Sequence, residues 1–167
     1  GEEFAFANLA ATACGLDIYE NTEDKQFFRS HFLPCFKKLS VKPFLDDPYY
    51  NNIVFPKGDN GNWSFETRIC KPYEAFVFDD PQILSDGRIV RAELECIGFF
   101  DSEYAYPAVM ENGREWMTLM PNETNTTKPA IDSARGKVLT YGLGLGYFAY
   151  MAAIKDEVES VTVVERS

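Results

Sequence analysis

The sequence predicts an α+β N-terminal region, two helices and then an antiparallel sheet, followed by the start of a parallel α/β unit. Three observations carry this. Residues 3–14 and 22–39 have helical composition and spacing, residues 63–120 are rich in β-branched and aromatic residues punctuated by turn signals, and residues 137–165 read strand, glycine turn, helix, strand. The expected division is 1–128 for the first region and 129–167 for the second.

The first helix, 3–14, is alanine-rich, and Gly15 is its natural stop. The second is expected over 22–39. Asn21 or Thr22 can cap it, Glu23 and Asp24 suit the positive end of its dipole, and Lys37 and Lys38 suit the negative end. Phe28, Phe32, Phe36 and Leu39 fall on one helical face, with a kink expected at Pro34. His31, the only histidine, lies one step off that face; a structural role is expected for it, since a histidine metal cluster or a Cys/His dyad has no second histidine to draw on.

Residues 41–61 change to loop texture, with Pro43, Pro48, Pro56 and a Gly-Asp-Asn-Gly cluster at 58–61. The Asp46-Asp47-Pro48 and Asp79-Asp80-Pro81 runs offer paired acids, but aspartate before proline is ordinary turn chemistry, and no metal site is expected. Strands are expected at 63–70, 73–78, 88–100, 103–110 and 114–120. Asp86-Gly87 and the 111–113 segment supply hairpin turns. The polar, threonine-rich stretch 122–128 reads as a linker, and 129–134 as a short helical turn.

The last segment organises the chain. Residues 137–153, KVLTYGLGLGYFAYMAA, put a short apolar strand directly before Gly142, Gly144 and Gly146 and a helix-prone run after them. A second, β-branched strand over 161–164 ends on Glu165, which lies 19 residues after Gly146. A tight strand-to-helix turn needs backbone angles that glycine adopts without strain. A ligand can then approach the backbone where a helix presents free N–H groups. An acid at the tip of the next strand can accept hydrogen bonds from both ribose hydroxyls. Together they point to an adenosine-containing cofactor. The dinucleotide pattern G-x-G-x-x-G counted from Gly142 fails at Tyr147; counted from Gly144 it reaches Ala149 but leaves two extra residues after the strand.

This stretch resembles motif I and the following acidic strand of class I S-adenosylmethionine-dependent methyltransferases, and of the related aminopropyltransferases (spermidine synthases). The resemblance implies a Rossmann-like methyltransferase domain with S-adenosylmethionine as cofactor. It assigns Gly142, Gly144 and Gly146, with Tyr141 and Leu143, to the cofactor loop and Glu165 to the ribose. Thr140 departs from the pattern, because many methyltransferases carry an acid there and aminopropyltransferases often lack it. Two leading helices are unlike the N-terminal hairpin domain of aminopropyltransferases, and Tyr147 disfavours an NAD-type oxidoreductase. A non-catalytic interaction module with a vestigial motif is the remaining alternative. Tyr106, Glu111, Trp116 and Met117 are candidate pocket walls, although core packing would explain each of them. In this family the groups near the acceptor usually come from a later strand, so no catalytic residue is assigned.

The net charge of −10 at 46% hydrophobic content implies a packed core and excludes a basic stripe for nucleic acid or an anionic membrane surface. A small-molecule substrate is the expected partner. Four cysteines without C-x-x-C spacing suggest free thiols in a cytoplasmic protein, and the sequons at Asn62, Asn122 and Asn125 would matter only after secretion. Two parallel strands and one helix do not close a doubly wound sheet, so the expectation is a truncated, N-terminal portion of a longer enzyme, or a sheet completed by another chain, including a homo-oligomer.

Overall fold

The computed structural model describes residues 1–55, 58–90 and 95–166. It is a mixed α/β structure with six α-helices and several small sheets. Helix α1 (Glu2–Ala13) ends at Gly15, whose φ of 79° is the left-handed conformation expected of a helix stop. Helix α2 (Thr22–Phe27) is capped by Asn21, whose side chain accepts from the amides of Glu23 and Asp24.

The expected long second helix is shorter than its pattern. After Phe27 the chain makes one π-helical turn (Phe28–Phe32) and one 3₁₀ turn (Leu33–Cys35). It then becomes strand β1 (Phe36–Leu39). Pro34 ends the helix rather than kinking it, since its ring leaves no room for a continuing helix and it has no N–H to donate. Lys37 and Lys38 therefore lie on a strand, and Lys38 joins the carboxylates of Glu2 and Asp101 instead of facing a helix terminus.

The 41–61 region holds two short helices, α3 (Lys42–Leu45) and α4 (Pro48–Asn52), and strand β2 (Gly58–Asn60). Then follow β3 (Trp63–Cys70), β4 (Phe76–Phe78), the hairpin β5 (Gln82–Ile83) and β6 (Ile89–Val90), β7 (Cys96–Phe100), β8 (Tyr104–Glu111) and β9 (Arg114–Thr118). Of the long strand expected over 88–100, the described residues hold β6 and β7; residues 91–94, with the apolar positions Ala92 and Leu94, lie outside the described residues. The β8–β9 turn uses Asn112 and Gly113, both at positive φ, as a two-residue hairpin requires.

Among the described residues, the separate β5–β6 pair and two larger sheets replace the single antiparallel sheet expected. One is antiparallel, in the order β2-β3-β8-β9; the other is β1-β7-β4, with β1 parallel to β7 and β4 antiparallel to it. Cys70, Phe100, Tyr104, Tyr106, Ala108 and Met110 form one core cluster, and Ala7, Ala11, Ile18, Phe28 and Phe36 form a second. Strand β7 links the two: Phe99 stacks on Phe6 of α1, and Phe100 packs against Phe44, Phe76 and Tyr104.

The stretch read as a linker is helical. Helix α5 (Pro121–Ser133) runs through it and includes Pro129, so the expected junction at 128/129 falls inside one helix. Thr124 and Thr126 turn their hydroxyls onto preceding backbone carbonyls, so these polar groups are satisfied within the helix. The chain closes with β10 (Gly136–Tyr141), α6 (Tyr147–Ala153) and β11 (Val158–Val164). Strands β10 and β11 are parallel, pairing Val138 with Val161 and Tyr141 with Val164. This is the βαβ unit expected. Leu139, Tyr141 and Val164 are exposed on its sheet. Among the described residues no helix is long and apolar enough to cross a membrane.

Candidate functional site: the glycine loop at the end of β10

The loop from Tyr141 to Tyr147 is built by its glycines. Gly142, Gly144 and Gly146 have φ of 80°, 57° and 81°, all in the left-handed region. Alternation with Leu143 and Leu145 lets the chain turn sharply from the tip of β10 into α6, with Gly146 as the N-cap. The amide of Gly142 donates to the carbonyl of Val164 at 2.9 Å, so the first glycine still belongs to the sheet ladder. The amide of Gly146 donates back to Leu143 at 2.8 Å, closing the turn.

Glu165 stands at the tip of β11, beside this loop. Its Oε2 accepts the amide hydrogen of Leu143 at 2.6 Å and its Oε1 accepts that of Arg166 at 2.7 Å. The structure thus brings Gly142, Leu143, Gly144, Gly146 and Glu165 together. Tyr141 lies at the strand end with its side chain 76% exposed.

The upstream candidates separate. A β-carbon at Gly144 would meet the sulfur of Met117 at 2.8 Å, so the β9 strand lays Met117 directly on the loop. A cleft of about 140 Å³ there is lined by Met117, Thr118, Glu123, Leu143, Gly144 and Tyr147, among others. Trp116 packs edge-on against Trp63, and Glu111 lines a different cleft beside Arg114 and Trp116. Tyr106 donates to Glu115 at 3.0 Å, and burial together with that carboxylate pushes its phenol up to about 12. Among the candidate walls, Met117 is the one that reaches the loop's cleft.

Asp47, Tyr49 and Tyr147 meet at the loop, although the sequence does not mark any of them as a site residue. The Tyr49 hydroxyl donates to the carbonyl of Leu145 in the middle of the loop. The Tyr147 hydroxyl donates to Oδ2 of Asp47 at 2.9 Å. The rings of Tyr49 and Tyr147 meet edge to face at 5.3 Å. Burial, and the nearby Asp47 carboxylate, raise both phenols well above their ordinary value, so both stay protonated as donors. The Asp47-Pro48 signal identified a turn; nothing in it pointed 100 residues ahead. Asp47 serves as helix cap and hydroxyl acceptor, and its neighbour Asp46 pairs with Lys42. Among the described residues, no group of histidine, cysteine and acidic side chains is arranged to hold a metal ion. His31 contacts Ser30 and stacks on Phe27 at the surface.

No family model, curated protein or solved structure matches the chain.

The chain's own geometry can be set against the requirements of an adenosine cofactor. A β-carbon at Gly142 would meet nothing within 4 Å, so the backbone at the strand tip is open to approach. Gly146 is similarly open, with only a Leu143 methyl nearby, whereas Gly144 is closed by Met117. An acceptor carboxylate stands beside that opening. For such a group Gly142 and Gly146 would form the approach side, Glu165 would accept the hydroxyls and Met117 would be the apolar backing.

Proposed function

We propose that this chain carries the cofactor loop of an S-adenosylmethionine-dependent methyltransferase acting on a small-molecule acceptor. One observation supports the reading above the others: the carboxylate of Glu165 lies at the tip of a strand parallel to β10, one hydrogen bond from the backbone of the glycine loop. Tyr147, which breaks the dinucleotide pattern, turns its ring onto Tyr49 and its hydroxyl onto Asp47, so a large side chain is accommodated there by the N-terminal region. The four free cysteines, at 14, 35, 70 and 96, accord with a reducing, cytoplasmic setting.

The bound cofactor would supply the electrophilic carbon on a sulfonium. The chain's own part is to bind and orient. Glu165 accepts hydrogen bonds from the ribose, the open glycines admit the ligand to the backbone, and the thioether of Met117 backs the loop. Orientation of this kind is a large part of the rate enhancement in bimolecular transfer. An aminopropyltransferase using decarboxylated cofactor would use the same loop and acid.

A second reading, an interaction module, draws support from the exposed apolar residues Leu139, Tyr141 and Val164 on the β10–β11 sheet, which another chain could cover. Calorimetric titration with S-adenosylmethionine, decarboxylated S-adenosylmethionine and NAD separates these readings. Saturable binding of the first, weakened in Glu165→Ala, is the expected result. Binding of the decarboxylated form alone would favour the aminopropyltransferase, and binding of NAD alone would overturn both transferase readings. No binding by any of the three, together with self-association in sedimentation, would favour the interaction module.

A further inference from the structure

We propose that Asp47 and Tyr49 form a strap from the N-terminal region that sets the conformation of the glycine loop, making them positioning residues for the cofactor. The role in cofactor binding rests on the reading given under Proposed function; the hold on the loop does not.

The strap is tied at both ends. At its own end, Asp47 caps α4 by accepting the amide of Tyr49 on Oδ1 at 2.8 Å, and Pro48 at the first helical position fixes the entry angle. At the far end the two side chains grip consecutive parts of the loop and its helix. The Tyr49 hydroxyl takes the carbonyl of Leu145, the residue between Gly144 and Gly146, and Oδ2 of Asp47 takes the hydroxyl of Tyr147, the first residue of α6. The Tyr49 ring also lies edge-on to Tyr150, one helical turn further on. Tyr49 is only 1% exposed, so its hydroxyl has no water to fall back on and the Leu145 carbonyl becomes its fixed partner.

The loop needs such a hold. Three residues at positive φ are glycines, the side chains that resist backbone rotation least, so local sequence alone leaves the loop with many conformations. Glu165 fixes its first half through Leu143, and the strap fixes its second half through Leu145 and Tyr147. A loop held at both points keeps the opening at Gly142 pre-formed, and pre-organisation of this kind is recovered as affinity.

The test compares Tyr49→Phe with Tyr50→Phe. Each removes one hydroxyl from neighbouring residues of α4, but the Tyr50 hydroxyl donates to the carbonyl of Ala105 on β8, away from the loop. Hydrogen exchange is read at the amides of Gly146 and Tyr150, in the half of the loop the strap holds, and affinity by titration with S-adenosylmethionine. Tyr49→Phe is expected to speed exchange at these amides by roughly tenfold, the factor a single hydrogen bond produces, and to weaken binding by a similar factor. Tyr50→Phe is expected to leave the loop amides unchanged. Asp47→Ala should loosen the loop as well, with Asp47→Asn rescuing it, because asparagine caps α4 and can still meet the Tyr147 hydroxyl. If Tyr49→Phe does not fold, Tyr147→Phe, which cuts the other tie from the loop side, takes its place with the same expectation. Equal effects of the Tyr49 and Tyr50 substitutions, or no effect of either on loop exchange, would overturn the strap. Loosened exchange in a protein that binds no S-adenosylmethionine would leave the strap standing and overturn only the cofactor reading.

Discussion

The Oε2 of Glu165 accepts the amide hydrogen of Leu143 at 2.6 Å, from the tip of one parallel strand to the loop that leaves the other. The acid therefore has a structural partner as well as its proposed ligand, and the two roles can be separated. Glu165→Gln keeps an acceptor oxygen for Leu143 and loses the charge; Glu165→Ala loses both. S-adenosylmethionine affinity is expected to fall about tenfold or more in the alanine variant and by less in the glutamine variant, since a charged hydrogen bond is roughly twice as strong as a neutral one. The alanine variant should lose more melting temperature than the glutamine variant, because the carboxylate accepts the exposed amides of Leu143 and Arg166 at about 1 kcal/mol each, or roughly 2–4 °C per kcal/mol. Calorimetry beside a thermal melt reads both. A glutamine variant that binds as tightly as wild type would remove Glu165 from the ligand's contacts.

Gly142 and Gly144 look alike in sequence and differ in surroundings. Both have positive φ, which costs an alanine about 1–2 kcal/mol. An added β-carbon at Gly142 meets nothing, whereas at Gly144 it meets the Met117 sulfur at 2.8 Å. Gly144→Ala should be slightly the more destabilising in urea unfolding, since the end of the flexible Met117 side chain has to move aside. Met117→Ala in that background should recover part of the loss, the part due to the sulfur and not to φ. Equal losses at the two glycines would show that Met117 does not rest on the loop.

The contrast between these two glycines marks where the sequence stops being informative. The βαβ unit was legible because it is local: an apolar strand, three glycines, a helix-prone run and a β-branched strand within 30 residues. The hairpin at Asn112-Gly113 was legible for the same reason, its turn chemistry being carried by the two residues themselves. The helix expected over 22–39 was misread because Phe28, Phe32 and Phe36 keep helical spacing while Pro34 stops the helix, and because Phe36–Leu39 find a parallel partner in β7, about 60 residues away. The 122–128 stretch of α5 reads as linker because its threonines are poor helix formers; packing of α5 on α6 and β4 outweighs that propensity. Asp47 and Tyr49 were invisible as site residues since their partners lie about 100 residues on, and no spacing rule reaches that far.

Gly98 sits at the centre of β7, between β1 and β4. A β-carbon there would collide with the Phe76 ring, with Cζ at 2.8 Å, and would touch Phe78 at 3.0 Å. Phe78 is buried, and the partly buried Phe76 ring is held against Phe78 and Phe100. Gly98→Ala is expected to lose about 1–3 kcal/mol, as overpacked cores do. Combining it with Phe76→Leu should cost less than the sum of the two single changes, because the smaller side chain relieves the contact. Denaturant unfolding of the four proteins closes the cycle, and strict additivity would show that the Phe76 ring does not limit this position.

Alkaline pH should unfold the protein through its buried acids. Burial, with help from Glu74, pushes the Cys70 thiol from an ordinary 9.0 up to about 11, and burial with Glu115 pushes the Tyr106 phenol from 10.0 up to about 12. Burial also raises the phenols of Tyr49, Tyr104 and Tyr147. In each case the folded state holds its proton more tightly than the unfolded chain. The sign follows: below about pH 9 both states are protonated and stability does not depend on these groups, whereas above it the unfolded chain releases protons that the folded one keeps, so stability falls as pH rises through the interval from 9 to 12. Melting temperature measured from pH 7.5 to 11.5 should be level at first and then decline with increasing slope, as tyrosines join Cys70. Cys70→Ala should lessen the onset near pH 9, leaving the part that comes from the Cys35 and Cys96 thiols, which burial also raises, without changing the steeper fall near the phenol range. The same burial makes Cys70 inert: with native protein at pH 8, a thiol reagent should modify the exposed Cys14 promptly and Cys70 only on unfolding. Labelling of Cys70 at the rate of Cys14 would mean that the core around Tyr104 and Phe100 opens readily, and would remove the basis for the alkaline decline as well.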